Sequence, residues 1–285
     1  MEGRLLLGLG QPEDAIKFLV RQTREPVDPD VILARDQAAR EARRVRGSLL
    51  APEVTPPPPE SQSHWEAVKA RPLFQRLFSG ITPTLALITI APLIPVQPHV
   101  HFGYAIERVR PAVPDFSACL ELCVPSQPGT VDYWGGVTPD DHGSVSVTIG
   151  TRDLNLGIVE ATFAPETLTA TFRFGRTAVF SQVVRYHDRY YLKDGTHRAV
   201  GLLAQGVQTM PVLLWDAHDT TDLPDYLPPG TLLGAAPPRL ADFLDPALFY
   251  PHAWVSRMRL LRMRVDDYLA PLDQSDSTTG GTDQG

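Results

Sequence analysis

The chain has little cysteine, no long apolar run and no excess of positive charge, and each shortage removes a class of protein. Cys119 and Cys123 are its two cysteines. Two thiols cannot form the disulfide framework of a small secreted domain, and this spacing matches no common zinc pattern. Read as part of an apolar strand from Ala118 to Val124, they are small core residues in a reducing compartment. The longest apolar run, Leu85 to Val96, is broken by Pro92 and Pro95 and is too short to span a bilayer. Leu5-Leu6-Leu7 is too short for a signal peptide, so the expected location is the cytoplasm. A formal net charge of −7 argues against nucleic acid as the main partner, because neutralising phosphates needs a basic surface.

What is present is enough for a core. A chain of 285 residues, 43% hydrophobic and 21% charged, suits one large domain or two smaller ones. Twenty-eight prolines imply much loop and extended chain. Residues 1–47 read as a helical hairpin: one helix starts at Pro12 with Glu13 and Asp14, and a second runs from a cap at Asp30 to Val45. Arg35, Arg40, Arg43, Arg44 and Arg46 on the second helix read as a solvated face, with an acidic partner as the alternative. Residues 48–62, containing Pro56 to Pro59, read as a semi-rigid proline-rich linker and the first domain boundary. Residues 63–175 begin with a helix capped by Ser63 and then become β-rich. Strands are expected at 85–90, 100–109, 118–124 and 144–149, with a hairpin about Ala164-Pro165-Glu166. Residues 176–272 carry a strand–turn–helix–strand unit, then short helical turns at Arg239–Leu244 and Pro246–Tyr250, then Val255–Val265, which reads as a strand with a basic helix as the alternative. The tail, 273–285, reads as disordered. The fold class is α+β.

Two patterns carry chemistry. His99 and His101 alternate on one strand face, and Asp140-Asp141-His142 could complete a metal site with them; ordinary strand-end histidines are the alternative. The stronger pattern is Tyr190-Tyr191-Leu192-Lys193-Asp194-Gly195-Thr196-His197-Arg198, followed by a helix that stops at Gly206 and a strand at Met210–Trp215. A glycine turn feeding a helix leaves backbone N–H groups pointing outward at the positive end of the helix dipole. With His197 and Arg198 added, the turn is a place for an anion. Equally, Asp194-Gly195 makes a good turn, Thr196 a good cap, and Arg198 could pair with a surface acid.

Residues 177–215, with Gln182-Val183-Val184-Arg185 ahead of the turn and Met210-Pro211-Val212 after it, resemble the ParB/sulfiredoxin superfamily. The resemblance implies a nucleotide or other phosphorylated ligand whose phosphates face Gly195, Thr196, His197 and Arg198. It implies Asp194 as the candidate catalytic base, with magnesium entering alongside a nucleotide if phosphoryl transfer or nucleotide hydrolysis occurs. Thr196 stands where sulfiredoxins carry their reactive cysteine, so their sulfinic acid chemistry is not implied. Instead of an upstream acidic helix the chain has Thr171 to Thr177, in which Arg173 and Arg176 are the charged residues. The alternative is a non-enzymatic interaction or scaffold protein with a degenerate unit of this kind. Protein partners would then meet the N-terminal helices or the proline-rich linker.

Overall fold

The computed structural model describes residues 2–265 except 24, 47–49, 114, 128–132, 140–144, 152–155, 165, 168, 177–179, 224–226 and 254–258. In chain order the elements are β1 (Glu2–Leu6), α1 (Pro12–Gln22), α2 (Pro29–Val45), β2 (Val54–Thr55), α3 (Gln62–Lys69), α4 (Pro72–Leu77), β3 (Thr84–Thr89), β4 (Ile94–Pro95) and β5 (His99–His101). Then follow α5 (Phe102–Val109), α6 (Phe116–Cys123), β6 (Tyr133–Pro139), β7 (Val145–Thr151), β8 (Leu156–Ala164), β9 (Thr169–Arg176), β10 (Gln182–Tyr186) and β11 (Arg189–Asp194). The chain continues through α7 (Thr196–Ala204), β12 (Thr209–Asp216), α8 (Pro229–Leu232), β13 (Phe249–Ala253) and β14 (Arg259–Val265). The protein is α+β, as its mixed patterning indicates. No helix among the described residues is long and apolar enough to cross a membrane.

The central sheet has six strands in the order β2-β3-β12-β10-β11-β4. β10 and β11 form an antiparallel hairpin, and β12 returns parallel to β10 on its other edge, so α7 carries the chain across β10. Pro211 sits inside β12, where its missing N–H would break a ladder. β10 begins to pair with β12 only at Leu213, so the proline occupies the open start of that edge. Ile88, Val183, Val184, Leu192, Val212 and Leu213 are buried and join one large core with α5, α6 and α7.

A second sheet, β13-β1-β5, ties the two ends of the described chain to the middle. Successive residues of a strand point to opposite faces. Leu6 accordingly enters the large core, while Leu5 joins Leu7 in a smaller one with Leu19, Ile32, Ala39 and Leu248. The arginines of α2 are solvated only in part: Arg44 is exposed, whereas Arg35, Arg40 and Arg43 reach partners. Arg43 is buried and donates to Asp242 at 2.9 Å, to the Leu7 carbonyl, and to the Leu248 carbonyl at 3.3 Å. Arg35 donates to the Phe249 carbonyl at 2.7 Å. Buried charge is tolerated here because each guanidinium meets a carboxylate or carbonyl.

Other expectations change for local reasons. The segment 48–62 is no detached linker: Val54 and Thr55 pair with Ile88 and Leu87 at the edge of the central sheet. The second helix is capped by Asp28 rather than Asp30, its carboxylate accepting from the N–H groups of Asp30 and Val31. The third helix starts at Gln62 instead of behind Ser63. Residues 102–109 and 116–123 are helices, not strands; apolar runs this short do not distinguish a buried strand from a buried helix turn. Phe249 and Tyr250, expected to end a helical turn begun at Pro246, instead open the strand Phe249–Ala253. β6, β7 and β14 form a further sheet, and β8 pairs with β9 as the expected hairpin. The tail at 273–285 lies outside the described residues.

Removing residues 1–62 would strip β1 from between β5 and β13 and expose both cores. The truncated chain should aggregate on size-exclusion chromatography or melt without a cooperative transition. A soluble remainder melting like the full chain would show that the N-terminal layer is dispensable to the fold.

Candidate functional site

The site is built at the crossing from β11 to α7. β10 and β11 turn through His187 and Asp188, both at positive φ (47° and 59°), which matches the twist of a tight hairpin. After Asp194 the chain needs a left-handed residue to enter α7, and Gly195 supplies it with φ 102° and ψ 13°. A Cβ there would also sit 2.7 Å from the Ser181 hydroxyl. The glycine is therefore required by both backbone and space. At the far end Gly206 (φ 84°) stops the helix, and Val207 N–H donates to the Leu202 carbonyl at 3.0 Å.

α7 is buried along most of its length and lies against α5. The contact is close because Gly201 has no side chain: a Cβ would stand 2.3 Å from the Ala105 carbonyl oxygen. This approach places Tyr104 and Arg108, one turn apart on α5, beside the first turn of α7. The Tyr104 ring lies 6.2 Å from that of His197 and 5.8 Å from that of His101, and the Arg108 guanidinium is 5.9 Å from the Tyr104 ring.

The five predicted residues are brought together, but not all face outward. Arg198, expected at the surface, is 1% exposed. It donates to the carbonyls of Leu122 (3.1 Å) and Cys123 (3.2 Å), the last turn of α6. Its other terminal nitrogen lies 3.5 Å from the Asp194 carboxylate. Thr196 is buried, and His197 Nε2 accepts from the His101 backbone N–H at 3.0 Å. Asp194 is the open member, with its side chain 40% exposed. Desolvation raises its carboxyl above the usual range, offset by the charge of Arg198, the Gly195 N–H and the charge of Arg108. Burial lowers the Arg198 guanidinium, Asp194 counters this, and Arg108 lowers it further by repulsion. Arg108 was missed in the sequence because it lies in a segment read as strand. As a strand residue it would have had no fixed place beside the turn.

The histidines form a second cluster next to the turn. His252 of β13 and His101 of β5 flank Gly3 of β1 in one cross-strand row, and His99 lies two residues along the same face. Phe18 covers them, 4.6 Å from His99 and 6.1 Å from His252 between ring centres. Burial lowers His99 to about 4, with His252 adding repulsion. Burial lowers His197 to about 3, helped by His99, Arg108, His101 and Arg198. Among the described residues no group of three or more His, Cys, Asp or Glu is arranged to hold a metal ion. Asp140, Asp141 and His142, proposed as partners of His99 and His101, lie outside the described residues. The side chains of Arg173 and Arg176 do as well.

No family model, curated protein or solved structure matches this chain.

Two outcomes follow. Since His99 and His197 titrate lower in the fold than the ordinary 6.5, their contribution is complete above about pH 6.5. It is lost as pH falls toward about 4 for His99 and about 3 for His197, by up to about 1.4 kcal/mol per pH unit each. The urea midpoint should drop on acidification, and His99→Gln should flatten that dependence; an unchanged slope would remove the histidines from the account. Gly201→Ala trades a helix-propensity gain of about 1 kcal/mol against an overpacking cost of roughly 1–3 kcal/mol. Because the contact is to backbone at 2.3 Å, packing should win and the variant should lose stability in urea titration.

Proposed function

We propose that the β11–α7 turn binds an anionic, phosphate-bearing ligand, with a nucleotide the preferred class. One observation carries the reading. Two guanidiniums, Arg108 and Arg198, and the positive end of α7 confront a single carboxylate, Asp194. Arg108 and Arg198 repel one another, and an anion between them and the first amides of α7 would relieve that repulsion. Tyr104, 38% exposed beside them, offers an aromatic face on which a base could stack. The likeness of residues 177–215 to the ParB/sulfiredoxin superfamily supports the same ligand class.

Within this reading the roles divide by exposure. The backbone of Thr196, His197 and Arg198 forms the cradle beside Gly195, whose own N–H faces Asp194. Arg198 is held by α6 and supplies charge from behind, while Arg108 reaches the ligand directly. Asp194 orients Arg198. Magnesium fits poorly as a resident ion, because the one carboxylate of the turn already faces two guanidiniums. The protein is thus read first as a binder. A scaffold role is favoured by a different observation: in the β8–β9 hairpin, Phe163 is 64% and Phe172 42% exposed.

A thermal-shift and calorimetric panel of inorganic pyrophosphate, AMP, ADP and ATP, with and without magnesium, tests the reading. Hydrogen bonds to charged groups contribute about 1.5–3 kcal/mol, so Arg108→Ala should weaken binding about ten- to a hundredfold while leaving the melt nearly unchanged. Tyr104→Ala should weaken nucleotides but not pyrophosphate. Asp194→Asn should tighten both by removing a like charge. A panel in which nothing binds would favour the scaffold reading.

A further inference from the structure

The β8–β9 hairpin takes no part in the anion site. Among the described residues its two strands pair only with each other, so they form a two-stranded sheet of their own. Residues 161–164 and 169–172 are all exposed, alternate side chains included, so neither face of this stretch is covered. A ribbon of two strands is marginally stable in water unless another layer packs on it. The register decides which face such a layer would meet. Phe163 pairs with Ala170, Thr162 with Thr171 and Ala161 with Phe172. Side chains alternate along each strand, so Ala161, Phe163, Ala170 and Phe172 share one face while Thr162 and Thr171 share the other. Phe163 is 64% and Phe172 42% exposed. Phe174, two residues further along the apolar face, is half-buried, which leaves the half nearest the turn open.

These four side chains form a chequerboard. Each phenylalanine has an alanine across the ladder and another alanine two residues away on its own strand. A two-fold axis through the Thr162–Thr171 pair, perpendicular to the ribbon, exchanges Phe163 with Phe172 and Ala161 with Ala170. When an identical face is laid on this one about an in-plane two-fold axis, along or across the strands, every ring meets an alanine and no ring meets a ring. Large side chains facing small ones let two layers interdigitate. An unlike partner would be served by any apolar face; alternation of ring and methyl under a two-fold is what a copy of the same face requires. We propose that this face is the interface of a homodimer, in which the hairpins of two copies pack face to face about an isologous two-fold axis.

The size of the face sets the strength of the pair. β8 has nine residues, so at about 3.4 Å per residue it is about 30 Å long, and two strands with their side chains are about 10 Å wide. That is about 300 Å² per copy, against about 800 Å² per partner in a standard interface. The dimer is therefore weak and rapidly reversible, with dissociation in the micromolar range or above. It covers the same exposed aromatics on which the scaffold reading rests.

Sedimentation velocity of the full chain, from micromolar to near-millimolar concentration, should show a monomer–dimer equilibrium. Phe163→Lys and Phe172→Lys should each weaken it at least about tenfold and leave the melt unchanged, whereas Thr171→Lys, on the opposite face, should leave the dimer intact. Ala161→Leu combined with Ala170→Leu adds apolar area but fills the spaces the rings enter, so it too should weaken the dimer. A dimer strengthened by that double variant would overturn the chequerboard. A chain that stays monomeric throughout, or that forms open-ended oligomers, would overturn the homodimer. Dimers that persist when both phenylalanines are lysine would overturn face-to-face packing and point to the strand edges instead. None of these readouts involves the anion turn.

Discussion

A buried guanidinium keeps its charge, so the protein around it must supply acceptors, and Arg198 shows where they come from. It reaches the carbonyl end of α6 and the Asp194 carboxylate, tying the consecutive elements β11 and α7 to a helix more than seventy residues earlier in the chain. Helix carbonyls at a C-terminus lack intrahelical donors and carry partial negative charge. One arginine thus satisfies α6, fixes the first turn of α7 and holds the β11 turn in its left-handed glycine. The position of the candidate site follows from this clamp. So does its character, since the charge that would attract an anion is locked in place before any ligand arrives, and preorganised charge avoids a reorganisation cost on binding.

The clamp works only because α7 is supported from its other side. Gly201 lets α5 approach to backbone contact, and α5 begins directly after β5, a strand of the sheet that joins the two ends of the described chain. β1 lies between two cores and is pinned from above by Arg43 through Leu7 and Asp242. The histidine row across Gly3 packs in the same layer, and His197 links that row to α7 through the His101 N–H. A proton added to this layer loses solvation on burial and is repelled by the neighbouring charges. The N-terminal layer and the candidate site are therefore one mechanical unit, although almost a hundred residues separate His101 from His197 in sequence.

Legibility followed the range of the interaction involved. The β10–β11 hairpin, the turn at Gly195, α7 and β12 could be read because local signals agree: a glycine with no Cβ, a helix stop at Gly206 and an apolar strand after it. α1, α2 and the β8–β9 hairpin were legible for the same reason. What escaped depends on partners distant in sequence. Arg43 reads as solvated until Asp242, roughly two hundred residues later, is placed against it. Residues 102–109 and 116–123 alternate poorly and are short, so only their packing on the sheet decides that they are helical. Arg108 belongs to one of these segments. A site residue placed to meet a ligand thus sits on the element that was misread, whereas Arg198, expected at the surface, turned inward.

In the proposed site the first amides of α7 meet an anion whose charge Arg108 and Arg198 complement. Amide chemical shifts in a nitrogen-15 labelled sample titrated with pyrophosphate and with ADP report on this directly. The account predicts saturable shifts concentrated at Gly195, Thr196, His197 and Arg198, with the Tyr104 and Arg108 amides following. Shifts confined to other surfaces, or none at these residues at saturating ligand, would contradict it.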